Sequence, residues 1–473
     1  MEQQAATTHA VLELEGGFTG EVIRPGDSGY DEARAVYNAM IDKRPALIVR
    51  PAGAADVIDA VNLAREKNLP VAVRCGGHSI AGKGVVDGGI LINLSSLKGV
   101  RLDRASRSAR ANAGALWGEF DRETQLFGLA TPGGRVTTTG VGGFTLGGGY
   151  GWLSPKYGLT CDNLISVDVV TADGRLVTAN ESENADLFWA VRGGSSNFGI
   201  VTSYEFRLHP LGPMVLAGLL LHPIDEAKDV LRAHRDYVET APEELATATA
   251  IFMAPPAPFV PEHLHGKPVL GMIAIYIGEP DEGRDIMAPV RELGPPAADL
   301  IQPMPYTTFQ TVLDPTAPWG WLNYNRGLHL ALLSDDAIDT YVERASEIAF
   351  DSPMSVTIIF RHGGAVSRVP DDATAASHRD AAYLVHPIAC WQDPAETERH
   401  IDWVRGFSEA MRHFTTGGVY LNMEPDVGEE RVRAGYGAEK YAKLVALKDK
   451  WDPRNLFRVN QNIKPSRTSV FTP

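Results

Sequence analysis

Seven of the fifteen residues from Thr137 to Gly151 are glycine (Thr-Thr-Thr-Gly-Val-Gly-Gly-Phe-Thr-Leu-Gly-Gly-Gly-Tyr-Gly). Glycine loses more backbone freedom on folding than any other residue, so this density implies that something large lies against the main chain. Two further glycine clusters flank it, Arg74-Cys75-Gly76-Gly77-His78-Ser79 and Arg192-Gly193-Gly194-Ser195-Ser196-Asn197-Phe198-Gly199. The first follows an apolar run, and successive N–H groups in such a turn make a concave site for an anion such as a pyrophosphate. The Rossmann fingerprint is not met, because no apolar strand leads into Gly140 and the glycine after Gly142 follows at once, at Gly143. Read alone, His78 is first of all a partly exposed histidine in a tight turn.

The rest of the composition narrows the function classes. A formal charge of −15 over 473 residues, without a basic run, argues against nucleic-acid binding. Cys75, Cys161 and Cys390 are too sparse for a disulfide framework and lack zinc-ligand spacing, so no metal site is expected. Residues 1–17 have neither the basic nor the apolar region of a leader, and no apolar run is long enough to span a bilayer. The expectation is a soluble, cytoplasmic protein.

Hydrophobic periodicity predicts a strand at residues 46–50, a helix at 54–67 and a strand at 69–73, a β-α-β unit. Strands are predicted at 90–94, 101–113, 164–170, 175–179 and 200–208, and a helix at 116–127. Beyond His209-Pro210 glycine thins out. Helices at 224–240, 283–293 and 335–349 then alternate with strands at 215–221, 269–277 and 355–360. After Tyr420, residues 429–450 read as largely helical. The fold class is α+β, with expected domains at 1–208, 209–417 and 418–473.

Taken together, these segments resemble one family. They are Arg74 to Ser79, Gly140 to Gly151, Lys156-Tyr157-Gly158-Leu159 with Asp162-Asn163, Asp186 to Gly194, and the ending Asp452 to Ile463. The chain resembles the berberine-bridge-enzyme-like FAD-linked oxidases of the vanillyl-alcohol-oxidase superfamily, in the manner of a bacterial member with one covalent flavin link. The resemblance implies a two-lobed FAD-binding domain of the PCMH type. It also implies a substrate domain whose antiparallel sheet is covered by helices, and a C-terminal segment that returns to the FAD-binding domain.

The resemblance also assigns roles. His78 matches the histidine that bonds to the flavin 8-methyl group, by attack of a neutral imidazole nitrogen on that carbon. Val136 stands where many relatives carry a second, cysteine anchor; Cys161 lies elsewhere, so a single attachment is expected. The FAD-binding set is Arg74, Gly76, Gly77, His78, Ser79, Thr139, Gly140, Gly142, Gly143, Gly148, Tyr150, Asn163, Gly199, Val201, Asn460 and Asn462. Thr139 matches a position that influences oxygen access. Tyr150, Trp152, Tyr324 and Arg326 match pocket-lining positions, and Arg326 hints at an anionic or phenolate-like substrate. Tyr420 and Asn422 match a catalytic Tyr-x-Asn segment.

The strand at 355–360 offers no carboxylate, and His362 is an alternative acid or base beside Tyr420. The implied activity is hydride transfer from an alcohol, amine or phenolic molecule to flavin, with O2 as acceptor and no nucleic-acid or membrane partner. A sugar or oligosaccharide oxidase of the same family is the alternative enzyme. A FAD-binding protein without catalysis is the alternative of another class.

Overall fold

The computed structural model describes residues 17–349, 352–425 and 428–467. Residues 1–16, on which most of the leader reading rests, lie outside the described residues.

The predicted β-α-β unit is present as strand Leu47–Arg50, helix Ala54–Glu66 and strand Val71–Arg74. Val57, Ala60, Val61 and Ala64 lie on one helical stripe and are fully buried. The two strands do not touch each other: Ile90–Asn93 enters between them, parallel to both. With Glu21–Ile23 at the edge they form a four-stranded sheet. The crossover leaves Arg74 to Ser79 at the strand's C-terminal end.

The second lobe is a five-stranded antiparallel sheet running Val100–Asp103, Ser108–Asn112, Ile200–Arg207, Leu164–Val170, Leu176–Asn180. The single strand predicted over residues 101–113 is two. Its middle turns at residues 104–107, where Arg107 adopts φ +50°. Within the glycine-rich segment, Val141–Leu146 forms a short helix.

The third sheet has ten strands, running in sequence from Met214–Pro223 to Thr415–Val419. Period-2 alternation divides its faces. Leu270, Met272, Ala274 and Ile359 pack under helices Ala227–Thr240, Gly283–Arg291, Asp335–Ala349 and Thr397–Met411. Ala246, Ala248, Ala250, Ile273, Ile358 and Phe360 face the other way, onto Tyr150, Trp152, Leu159 and Cys161 of the glycine-rich domain. Two long strands of this sheet, Leu245–Met253 and Tyr383–Trp391, escape the sequence reading. They are buried along nearly their whole length and offer no polar outer face: even the alternating Thr247 and Thr249 are buried.

After Val419 the chain returns to the first two lobes. The largely helical stretch expected at residues 429–450 is two helices, Gly428–Tyr436 and Ala438–Trp451, separated at Gly437 with φ +77°. Lys448 and Asp452 are fully buried and paired at 2.7 Å. The Lys448 ammonium also donates to the carbonyls of Asn197 and Phe457, and the Asp452 carboxylate accepts the N–H groups of Leu456 and Phe457. This pair locks the C-terminal segment onto the Ser195–Asn197 turn. Asp452→Ala strands a buried ammonium and is expected to lower stability by about 3–5 kcal/mol. Urea or thermal unfolding checks this, and an unchanged midpoint contradicts it.

Candidate functional site

The three glycine clusters and the C-terminal segment converge on one cleft, whose space including its open mouth is roughly 1110 Å³. Its walls include Arg74, Gly76, Gly77, His78, Ser79, Thr139, Gly140, Gly143, Ser195, Ser196, Asn422 and Asn460. Gly76 and Gly140 meet backbone to backbone: a Cβ on Gly76 would stand 2.3 Å from the Gly140 nitrogen, and one on Gly140 as close to the Gly76 nitrogen. Gly143, by contrast, has nothing within 4 Å of where a Cβ would stand. Its open side is cleft space.

These features fit FAD. Side-chain-free main chain lines the cleft, Arg74 and Lys83 supply positive charge, and Asn460 Oδ1 is a buried acceptor without a partner among the described residues. Arg74 donates to the Ala35 carbonyl, and burial lowers its pKa to about 10, so it stays charged at neutral pH.

His78 stands in the cleft wall with Nε2 at 2.9 Å from Thr138 Oγ1. Its ring stacks on Tyr37 at 4.5 Å and meets Trp319 edge-on at 5.8 Å. Burial lowers its pKa to about 4, so the imidazole is neutral and nucleophilic at physiological pH. The thiols are not ionised. Burial pushes Cys75 up to about 11, and burial beside Asp162 pushes Cys161 further up. Cys161 lies in the core under the large sheet, away from the cleft wall.

A smaller chamber adjoins the cleft and shares Gly147, Gly193, Leu421 and Tyr436 with it. Tyr150, His329, His362, His378 and Tyr420 line it. The Tyr420 hydroxyl oxygen accepts from Gly149 N–H and Asn422 Nδ2, both at 3.2 Å, and burial raises its pKa to about 12. The His362 ring lies against Tyr150 with centroids 3.9 Å apart and planes tilted by 33°, and neither ring nitrogen has a hydrogen-bond partner among the described residues. Burial, His329 and Arg135 hold it well below the usual imidazole range. Arg135 is buried over Phe360, Tyr150 and Trp152, and its guanidinium donates to the Tyr150 and Gly151 carbonyls.

Other expected residues sit outside both walls. Gly142 packs under Cys75 and Tyr204, and Gly199 presses on Val169 and Val170. Val201 pairs with Val169 in the second lobe's sheet. Asn163 donates to the Tyr157 and Leu159 carbonyls. Gly148 forms the φ +102° turn between Leu146 and Gly149. Asn462 Oδ1 is buried beyond the cleft wall, without a partner among the described residues. Trp152 packs on Phe309, and Tyr324 packs with Trp391 against Val404 of helix Thr397–Met411. Arg326 faces Glu424, a buried carboxylate that also accepts from Gly327 N–H and pairs with Arg431. Its charge is shared with that carboxylate, which itself lines the cleft.

Glu424, His329 and His386 escape the sequence reading. His386 pairs with Ile358, and His329 with Leu384, so both point to the concave face of the sheet. Alternation within Tyr383–Trp391 is the only signal that places His386 there. Among the described residues, no His, Cys, Asp and Glu cluster could hold a metal ion, and no helix is long and apolar enough to cross a membrane.

Comparison with known proteins gives two family matches: an FAD-binding domain over residues 45–180 and a "berberine and berberine like" segment over residues 419–464. An FAD-linked oxidoreductase of Dictyostelium discoideum is 32% identical, covering 98% of both chains. The (R)-6-hydroxynicotine oxidase of Paenarthrobacter nicotinovorans is 30% identical, covering 94% of this chain and 97% of that one. The crystal structure of 6-hydroxy-D-nicotine oxidase from Arthrobacter nicotinovorans superposes with a TM-score of 0.84 at 30% identity, covering 95% and 98% of the two chains.

Gly143→Leu directs a side chain into open cleft space. The variant is expected to fold with an apoprotein melting temperature close to the parent's and to purify with little flavin. Flavin absorbance per chain, set beside the apoprotein melt, measures this; full flavin content contradicts it.

Proposed function

This chain belongs to the berberine-like family of FAD-linked oxidoreductases, and on that premise we propose that it oxidises a small alcohol, amine or phenolic molecule with FAD held covalently by His78 alone. The observation that carries this reading is a neutral His78 imidazole in the wall of a glycine-lined cleft. When bound, FAD supplies a two-electron acceptor for hydride from a substrate carbon, and O2 is the proposed final oxidant.

The chain's residues bind and orient around it. Gly76, Gly77, Gly140 and Gly143 admit the cofactor against the main chain, Arg74 and Lys83 balance the pyrophosphate charge, and Thr139 borders the cleft where it would influence oxygen access. A single attachment is supported by Val136 at the position of the second anchor and by protonated, inward-packed Cys161.

The substrate occupies the chamber between Tyr150, His362 and Tyr420. Because the Tyr420 oxygen already accepts two hydrogen bonds, its own O–H is free to donate to the substrate heteroatom. His362, neutral and unpartnered, accepts the substrate's O–H or N–H. Burial disfavours the charged forms of both residues, so they position the substrate and manage one proton without standing charges.

Acid precipitation is expected to leave yellow flavin with the wild-type chain and to release it from His78→Ala. Release from the wild type overturns covalent attachment, and a flavin peptide containing Cys161 overturns the single link. Since the His78 pKa is about 4, its neutral form persists as pH falls and is lost only through that value. The rate of attachment is therefore expected to be flat between about pH 5.5 and 8, whereas an ordinary imidazole near 6.5 would slow it severalfold or more across that range.

A further inference from the structure

His78 is clamped from two sides. From its own domain come Thr138, at 2.9 Å from Nε2, and Tyr37, stacked at 4.5 Å. From the domain of the large sheet comes a strap, residues 314–323. Its Trp319 indole is 46% exposed, yet rests on Gly77 and meets the His78 ring at 89°.

The strap is fastened at both ends to the residues that hold the imidazole. The Asp314 carboxylate accepts from Thr137 N–H at 2.8 Å and Thr137 Oγ1 at 2.5 Å, one residue from Thr138. At the other end Ala39 N–H donates to the Trp321 carbonyl, Tyr37 Oη donates to Asn323 Oδ1, and Asn38 Nδ2 donates to the Asn323 carbonyl.

We propose that Thr138 and Trp319 are positioning residues for flavin attachment: Thr138 engages Nε2 of His78, so that Nδ1 is the nitrogen that bonds the cofactor, while the strap fixes the ring's plane. This rests on the covalent reading given above. With Nε2–H donating to Thr138 Oγ1, Nδ1 keeps its lone pair bare. Tyr37 and Trp319 remove rotation about the side chain, which brings the nitrogen and the methyl carbon into one reactive geometry.

The bond made is Nδ1 to the 8-methyl carbon. That carbon loses one hydrogen as a proton, the imidazole loses its N–H proton, and the electron pair of the broken C–H bond reduces the isoalloxazine. Dioxygen then removes the two electrons with two protons as hydrogen peroxide. Because the strap belongs to the other domain, attachment waits for the two domains to dock.

The test follows attachment directly. Apoprotein made under riboflavin limitation is mixed with FAD, and flavin retained after acid precipitation is timed for wild type, Thr138→Val, Thr138→Ser and Trp319→Ala, with apoprotein melting temperatures alongside. Hydrolysed flavin peptide is assigned as the Nδ1 or Nε2 isomer. The expectation is an Nδ1 link in the wild type and attachment about tenfold slower in Thr138→Val. Near-normal rates are expected in Thr138→Ser, and slowed attachment at unchanged flavin affinity in Trp319→Ala. A wild-type Nε2 link, or a wild-type rate in Thr138→Val, overturns the proposal while leaving covalent attachment standing. A wild-type chain that never retains flavin overturns the covalent reading and this proposal with it.

Discussion

Two stretches of main chain lie against each other with no side chain between them, Gly76 on Gly140, and the cleft exists because of that contact. The first stretch ends a strand of the parallel sheet; the second caps the helix Val141–Leu146 that runs beneath the cleft. A single methyl at either position would force the loops apart by more than any rotamer change absorbs. The third cluster joins them indirectly, because the Ser195–Asn197 turn is held by the buried Lys448–Asp452 pair and by Ile463 N–H on Asn197 Oδ1. Glycine at the contact and charge in the core thus serve one purpose, a rigid wall of exposed backbone donors.

Above this wall stands a sheet whose two faces obey different demands. The helix-covered face is conventional packing. The concave face carries His329 and His386 among Ala, Ile and Phe side chains. Burial lowers the pKa of both histidines to about 3. Arg135 adds to this by repelling a proton from His362 and His386, and is itself stabilised by carbonyls and aromatic faces. The chamber is polar in hydrogen-bonding capacity and nearly neutral in side-chain charge, the setting in which a substrate is oriented without being trapped as an ion.

The legible part of the site was the part written as local backbone requirement. Gly76, Gly77, Gly140 and Gly143 were recognisable because such glycine density implies close approach to the main chain, which for Gly76 and Gly140 is each other's backbone and at Gly143 is open cleft, and His78 because it follows two of them. Tyr324 and Arg326 were expected at a pocket because they match pocket-lining positions of the family they resemble. Strand pairing turns Tyr324 toward helix Thr397–Met411 and sets Arg326 against Glu424. A one-residue change of register exchanges the faces of a strand, and no neighbouring residue reveals which face meets the cofactor domain.

The amino-acid sequence by itself determined the β-α-β unit, the glycine walls and the family, since each depends on contiguous residues whose backbone preferences are local. Tertiary structure alone decided which histidines face the chamber, that Tyr420 is held by Gly149 and Asn422, and that a strap from the large-sheet domain closes over His78. Those contacts join residues far apart in the chain. They form only when sheet register and domain docking bring the residues together, and neither is encoded in any short stretch of sequence.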